Sequence, residues 1–145
     1  MAMERTLLVE VVSPEANLYK GEATMVIATT KLGELGIMPL HAPMVAELAP
    51  GELRLKHGDD PADTEVFSVY GGYLSIAEDH LLVLADLAMD MRSMDVATIE
   101  ARLENAKARL ADVPEDDAED KATVEREIDW LESTLCVAKR HCKPQ

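Results

Sequence analysis

Four histidines, two cysteines and several paired carboxylates are the side chains here with reactive chemistry to offer. His141 beside Cys142 could ligate a borderline-soft metal ion, but no second pair stands at ligand spacing. Cys136 and Cys142 are six residues apart in or just after a helical pattern. That spacing puts them on different faces of the helix, too far apart for a bridge, so free thiols in a reducing compartment are expected. Asp59-Asp60 and Asp116-Asp117 could share a proton, yet both pairs fall in polar turns and read as solvated charge. His41, His57 and His80 are scattered, and none stands in a nucleophile arrangement with a Cys or Asp. No P-loop, Cys-x-x-Cys, His-Glu-x-x-His or Gly-x-Ser-x-Gly occurs. The expectation is a protein without a catalytic centre, metal or cofactor.

Composition narrows the partners. The chain has 145 residues, 48% of them hydrophobic, and a formal net charge of −14. Such an acidic chain, with five aromatic residues in all, is built neither to follow a phosphate backbone nor to stack bases. No nucleic-acid partner is expected. No apolar run reaches the roughly 18 residues a membrane span needs, and the N-terminus lacks the apolar stretch of a signal peptide. Direct insertion into a membrane is not expected. Residues 88–145 carry 9 of the 14 Lys and Arg, so the tail offers local positive charge to an acidic surface.

Two periods divide the chain. Up to about residue 87 it reads as β structure: short runs rich in Val, Ile, Leu and Thr are separated by turn residues every 8–12 positions. Pro50-Gly51 reads as a turn between two strands. Gly71-Gly72 reads as a two-residue hairpin turn that needs positive φ. His80 to Ala85 is continuous in Leu and Val and reads as a last strand buried on both faces. Eight or nine strands of this kind predict an all-β sandwich or flattened barrel over 1–87.

From 88 to 145 the period is helical. Val96, Ile99, Leu103, Ala106, Leu110 and Val113 form one stripe, and Val124, Ile128, Leu131, Leu135 and Ala138 a second. Ser93 or Asp95 is placed to cap the first helix, and Pro114 lies in the link that ends it. Asp116 and Asp117 precede the second helix, while Lys139 and Arg140 close it, both in the sense the helix dipole favours. The prediction is an antiparallel two-helix hairpin. Several stripe positions are only Ala, so apolar burial barely offsets the entropy of ordering the hairpin. It needs a surface to lie against, and a choice between two surfaces is open to biasing by a partner.

Specific motifs add a resemblance. Val9-Glu10-Val11-Val12-Ser13-Pro14-Glu15 precedes Leu18-Tyr19-Lys20-Gly21-Glu22-Ala23. Gly33-Glu34-Leu35-Gly36-Ile37-Met38-Pro39-Leu40-His41-Ala42-Pro43 is the most specific block. Pro50-Gly51-Glu52-Leu53-Arg54, Phe67-Ser68-Val69-Tyr70-Gly71-Gly72-Tyr73-Leu74 and Val83-Leu84-Ala85-Asp86 follow in order. Together they resemble the epsilon subunit of the bacterial F-type ATP synthase. The likeness covers the β region nearly end to end and continues in the tail as pattern.

The resemblance implies a non-catalytic subunit of a proton-translocating complex. It would sit on the central stalk with the gamma subunit, touch the loops of the membrane c-ring and couple ring rotation to the catalytic head. Its place would be peripheral, at the cytoplasmic face of the bacterial inner membrane. By similarity Glu34 lies at the c-ring contact and His41 at the gamma contact. By residue type alone, Glu34 is an exposed turn carboxylate and His41 a hydrogen-bonded loop histidine. In many bacterial members the hairpin extends toward the alpha and beta subunits and inhibits ATP hydrolysis through basic side chains. Arg102, Lys107 and Arg109 would supply these here. The second helix, with Glu125, Glu127, Asp129 and Glu132 against Lys121 and Arg126, makes that brake weaker than in more basic relatives.

Some members bind ATP through an Ile/Leu-Asp-x-x-Arg-Ala motif at the start of the first helix. The matching stretch here is Met94-Asp95-Val96-Ala97-Thr98-Ile99. Asp95 is kept, but Thr98 replaces the guanidinium suited to phosphate, and Arg102 substitutes only in part. Weak ATP binding or none is expected. Two other readings stand beside the stalk subunit: a nucleotide-sensing module, and an unrelated β-domain interaction protein. The latter would self-associate through Val96, Ile99, Leu103 and Leu110.

Overall fold

The computed structural model describes residues 5–58, 60 and 62–141. It divides into two compact units, the first ending at Arg92 and the second beginning at Ser93. The strands are β1 (Leu7–Val12), β2 (Asn17–Ala23), β3 (Met25–Thr30), β4 (Gly33–Ile37), β5 (Met44–Lys56), β6 (Thr64–Ala77) and β7 (His80–Asp90). They form one hydrogen-bonded sheet in the order β2-β1-β7-β6-β5-β3-β4. All neighbours pair antiparallel except β1 and β7, which run parallel.

The sheet folds over on itself to make a sandwich. Tyr19 on β2 meets Phe67 on β6 edge-on, with ring centroids 6.1 Å apart, although two strands separate β2 from β6 in the sheet order. Leu7, Val9, Val11, Leu74, Ile76, Leu81 and Val83 from one half share a core with Val26, Ile37, Leu53, Leu55 and Phe67 from the other. Alternation produces this: every second side chain of a strand faces the same way.

The fold line explains where turn chemistry misled the sequence reading. Pro50-Gly51 lies inside β5, and Gly71-Gly72 lies inside β6. Pairing of β5 with β6 lapses between Glu47↔Tyr73 and Gly51↔Val69, then resumes in the same register. Gly71 and Gly72 do have positive φ, at 71° and 107°, but they bend a continuous strand rather than close a hairpin. A Cβ at Gly72 would lie 1.9 Å from the Leu84 carbonyl oxygen, so only glycine lets β7 approach. Fusing each of those two predicted strand pairs takes the upper expectation of nine strands to seven. β7 also runs on to Asp90, so a boundary at residue 87 falls within a strand.

The second unit holds α1 (Val96–Asp112) and α2 (Ala118–His141). Asp95 is the N-cap of α1: its side chain accepts the Thr98 backbone N–H at 2.7 Å. Asp117 does the same for Asp120 at the start of α2. Ile99, Leu103 and Ala106 are buried, as are Val124, Ile128, Leu131 and Ala138, which are stripe positions. Of the four positions through which the alternative interaction protein would self-associate, Ile99 and Leu103 are buried, while Val96 and Leu110 are partly exposed. Trp130, Thr134 and Val137 are buried as well, a second face of α2 absent from the single-stripe reading. Cys136 is exposed, while Asp59 and Cys142 lie outside the described residues. Among the described residues no helix is long and apolar enough to cross a membrane.

Candidate functional site: the outward surfaces of the sandwich and the hairpin

Glu34 is the second residue of β4, directly after Gly33, whose φ of 115° closes the β3–β4 turn. Its side chain is 59% exposed, and Oε1 accepts a hydrogen bond from Arg54 Nη2 at 3.1 Å. Arg54 Nε in turn lies 3.4 Å from Oε1 of the buried Glu52. That approach is an ion pair by distance, since Nε finds no hydrogen-bond geometry.

His41 sits in the loop between β4 and β5. Its Nδ1 is 2.7 Å from the Ala42 carbonyl oxygen. A carbonyl only accepts, so Nδ1 carries a proton in this contact. The loop is held by Asp79 in the β6–β7 turn. Its Oδ1 takes the Leu40 N–H at 2.6 Å, and its carbonyl oxygen takes the Leu8 N–H at 2.8 Å. Leu40 adopts a φ of 69° there, a backbone state costly for a branched residue.

Beyond Glu34 and His41, several large apolar side chains are exposed. Leu40 and Met38 are exposed, and so are Val45 on β5, Tyr73 on β6, Leu84 on β7 and Leu8 on β1. Tyr73 and Leu84 are direct cross-strand partners. The signal was present in the sequence: β7 is apolar at both parities. That run predicts a strand buried on both faces, whereas Leu84 is 49% exposed. Exposed apolar side chains grouped as Tyr73 and Leu84 are, mark a candidate interaction surface.

A charged cluster closes the other end of the sandwich. Arg92 pairs with Glu65 and, at 2.8 Å, with Asp90, while His57 Nε2 lies 2.9 Å from Glu65. Burial alone pushes the Asp90 carboxyl up, but hydrogen bonds from the Arg92 side chain and backbone outweigh it and hold it below the usual range. Tyr19 nearby is pushed up to about 12 by burial and by the Glu65 carboxylate.

On the hairpin, the expected basic residues differ in availability. The Arg102 guanidinium lies 5.6 Å from the Trp130 ring centroid, a cation–π contact. Arg109 is bonded to Asn105 at 3.3 Å and to Glu127 at 2.9 Å. Lys107 is exposed and has no ion pair among the described residues. An open groove of ≈ 270 Å³ is lined by Arg102, Asn105, Arg109 and Glu127. The Glu127 carboxylate in its wall opposes a phosphate. Asp95 caps α1 through Oδ1, and Arg102 faces the Trp130 ring.

Comparison with known proteins supplies the family. Residues 6–91 match the model of the ATP synthase delta/epsilon chain β-sandwich domain. The chain belongs to that family. An ATP synthase epsilon chain of Acidithiobacillus ferridurans is 47% identical over 109 residues, 75% of each chain. A sodium-ion-specific ATP synthase epsilon chain of Propionigenium modestum is 34% identical over 136 residues, 94% of this chain and 96% of that one. In fold, the chain is similar to one in the Euglena gracilis mitochondrial ATP synthase, with a TM-score of 0.65 at 16% identity, covering 91% of this chain and 81% of that one. The protein is a non-catalytic central-stalk subunit of an F-type ATP synthase.

Proposed function

We propose that this subunit couples c-ring rotation to the catalytic head by clasping the gamma subunit with the apolar face around His41 while presenting Glu34 to the c-ring loops. The observation that carries the reading is the exposure of Met38, Leu40, Val45, Tyr73 and Leu84, with Leu40, next to His41, held by Asp79. An apolar face on an acidic chain needs a cover, and a stalk subunit has its obligate neighbour there. Glu34 stands on another strand as an exposed acceptor for a donor-bearing loop. The hairpin supplies the brake on hydrolysis through Lys107, Arg102 and Arg109 against the acidic surface of the alpha and beta subunits. The chain takes its place peripherally, at the cytoplasmic face of the bacterial inner membrane.

Co-purification with gamma tests the surface. The double substitution Tyr73→Asp and Leu84→Asp leaves the inward core untouched and is expected to abolish capture by gamma with the sandwich still folded. Capture at wild-type yield would overturn the assignment. The brake is tested by ending the chain at Arg92, where β7 and its charged cluster stay whole. ATP hydrolysis by the assembled enzyme is expected to rise, and an unchanged rate removes the inhibitory role.

A further inference from the structure

Glu34 is not alone on its face of the sheet. Ile27 on β3 stands opposite both Gly36 on β4 and Arg54 on β5. One row further along, Thr29 stands opposite Glu34 and donates its hydroxyl to the Glu52 carbonyl oxygen at 3.2 Å. Two carboxylates, Glu34 and Glu52, therefore flank Thr29, and Arg54 reaches to both of them from the next row.

We infer that Arg54 is a positioning residue for the ring contact: anchored on the buried Glu52, it fixes the Glu34 carboxylate and leaves Glu34 Oε2 to a donor from a partner loop. The inference rests on the proposed meeting of Glu34 with the ring. Three observations carry it. Glu52 is 6% exposed, so its carboxylate is a fixed point. Arg54 is 26% exposed, a partly covered guanidinium whose planar fork can serve two carboxylates at once. Glu34 is 59% exposed on a long flexible side chain, which without Arg54 would lose rotamer freedom only on docking. Arg54 removes that cost beforehand. It also offsets the repulsion between Glu34 and Glu52, keeping a single net negative charge on the patch. A carboxylate is acceptor-only, so the partner presents a cationic side chain or a free N–H.

The test uses the full chain binding a gamma–c-ring subcomplex, with variants E34Q, R54Q, R54K and the double variant E34Q/R54Q. E34Q and R54Q are each expected to weaken binding about tenfold, the scale of one lost charged hydrogen bond. R54K keeps the charge without the fork and should fall between R54Q and wild type. The double variant should bind no more weakly than E34Q, because Arg54 acts through Glu34. In the free chain, NMR relaxation of the Glu34 side-chain methylenes should report faster motion in R54Q and R54K while the sandwich amides stay unchanged. Losses that multiply in the double variant would overturn the inference, as would wild-type affinity in R54Q beside a weakened E34Q. Wild-type affinity in E34Q would overturn the ring contact of Glu34 itself, and the role of Arg54 with it.

Discussion

The Asp95 carboxylate accepts the Thr98 backbone N–H at 2.7 Å. The residue standing at the arginine position of the family's nucleotide motif is thus the one whose amide the aspartate caps. Hydrogen bonds from Thr98 hold the Asp95 carboxyl below its usual range. The cap therefore contributes stability above the unfolded carboxyl pKa, near 3.9, and loses it as pH falls through the lower folded value. Asp95→Ala is expected to lower the thermal stability of α1. Asp95→Asn, itself a good cap, should keep the helix and lose this acid dependence. Circular dichroism at 222 nm against temperature and pH measures both.

The same geometry predicts how the chain responds to ATP. Trp130 is the single tryptophan, and the Arg102 guanidinium lies over its ring. Any phosphate that recruited Arg102 would change Trp130 emission. Millimolar ATP is expected to leave the emission unaltered. Thr98→Arg adds the missing donor fork and is expected to produce a saturable change. A micromolar dissociation constant for the unsubstituted chain would overturn this.

Two glycines of similar φ should tolerate a methyl very differently. Gly33, at 115°, has nothing within 4 Å of an added Cβ. Gly33→Ala should cost only its backbone strain, of order 1–3 kcal/mol. Gly72, at 107°, would place that Cβ against the Leu84 carbonyl oxygen and Ala85 Cα. Gly72→Ala adds a backbone clash in the middle of the sheet to the same strain, and should exceed about 4 kcal/mol. Urea unfolding of the two variants compares them directly.

Gly72 also shows what the sequence could and could not disclose. Glycine pairs flanked by alternating apolar residues report positive φ, and the structure has it at both positions. They do not report whether the chain reverses or merely bends, because that depends on strands far away in sequence. The two helices were legible in full as elements, since one stripe per helix is a local signal. The second buried face of α2, at Trp130, Thr134 and Val137, was not, because those positions include a polar residue. At the outward surfaces the limit was of another kind. Leu84 reads as core because apolarity does not say which cover a side chain meets, another strand or another subunit. Arg54 and Glu52 lie inside a motif of the sequence, but only the register across β4, β3 and β5 places them beside Glu34.

Arg92 offers a last and separate test, on the sandwich itself. It ends the first unit, and its guanidinium is shared between Glu65 and Asp90. Asp90 titrates below the usual carboxylate range because the Arg92 hydrogen bonds overcome the effect of burial. The sign follows: an aspartate with a depressed folded pKa contributes stability above its unfolded pKa and loses it as pH falls through the folded value. Arg92→Gln removes the cation that holds Asp90 down and leaves Glu65 with His57. The variant is expected to be less stable than wild type at pH 7. As pH falls through the lowered folded value of Asp90, the difference should narrow. Equal thermal midpoints at pH 7 would overturn a stabilising role for Arg92, and a gap that persists unchanged in acid would mean that it acts by packing of its stem rather than by its charge.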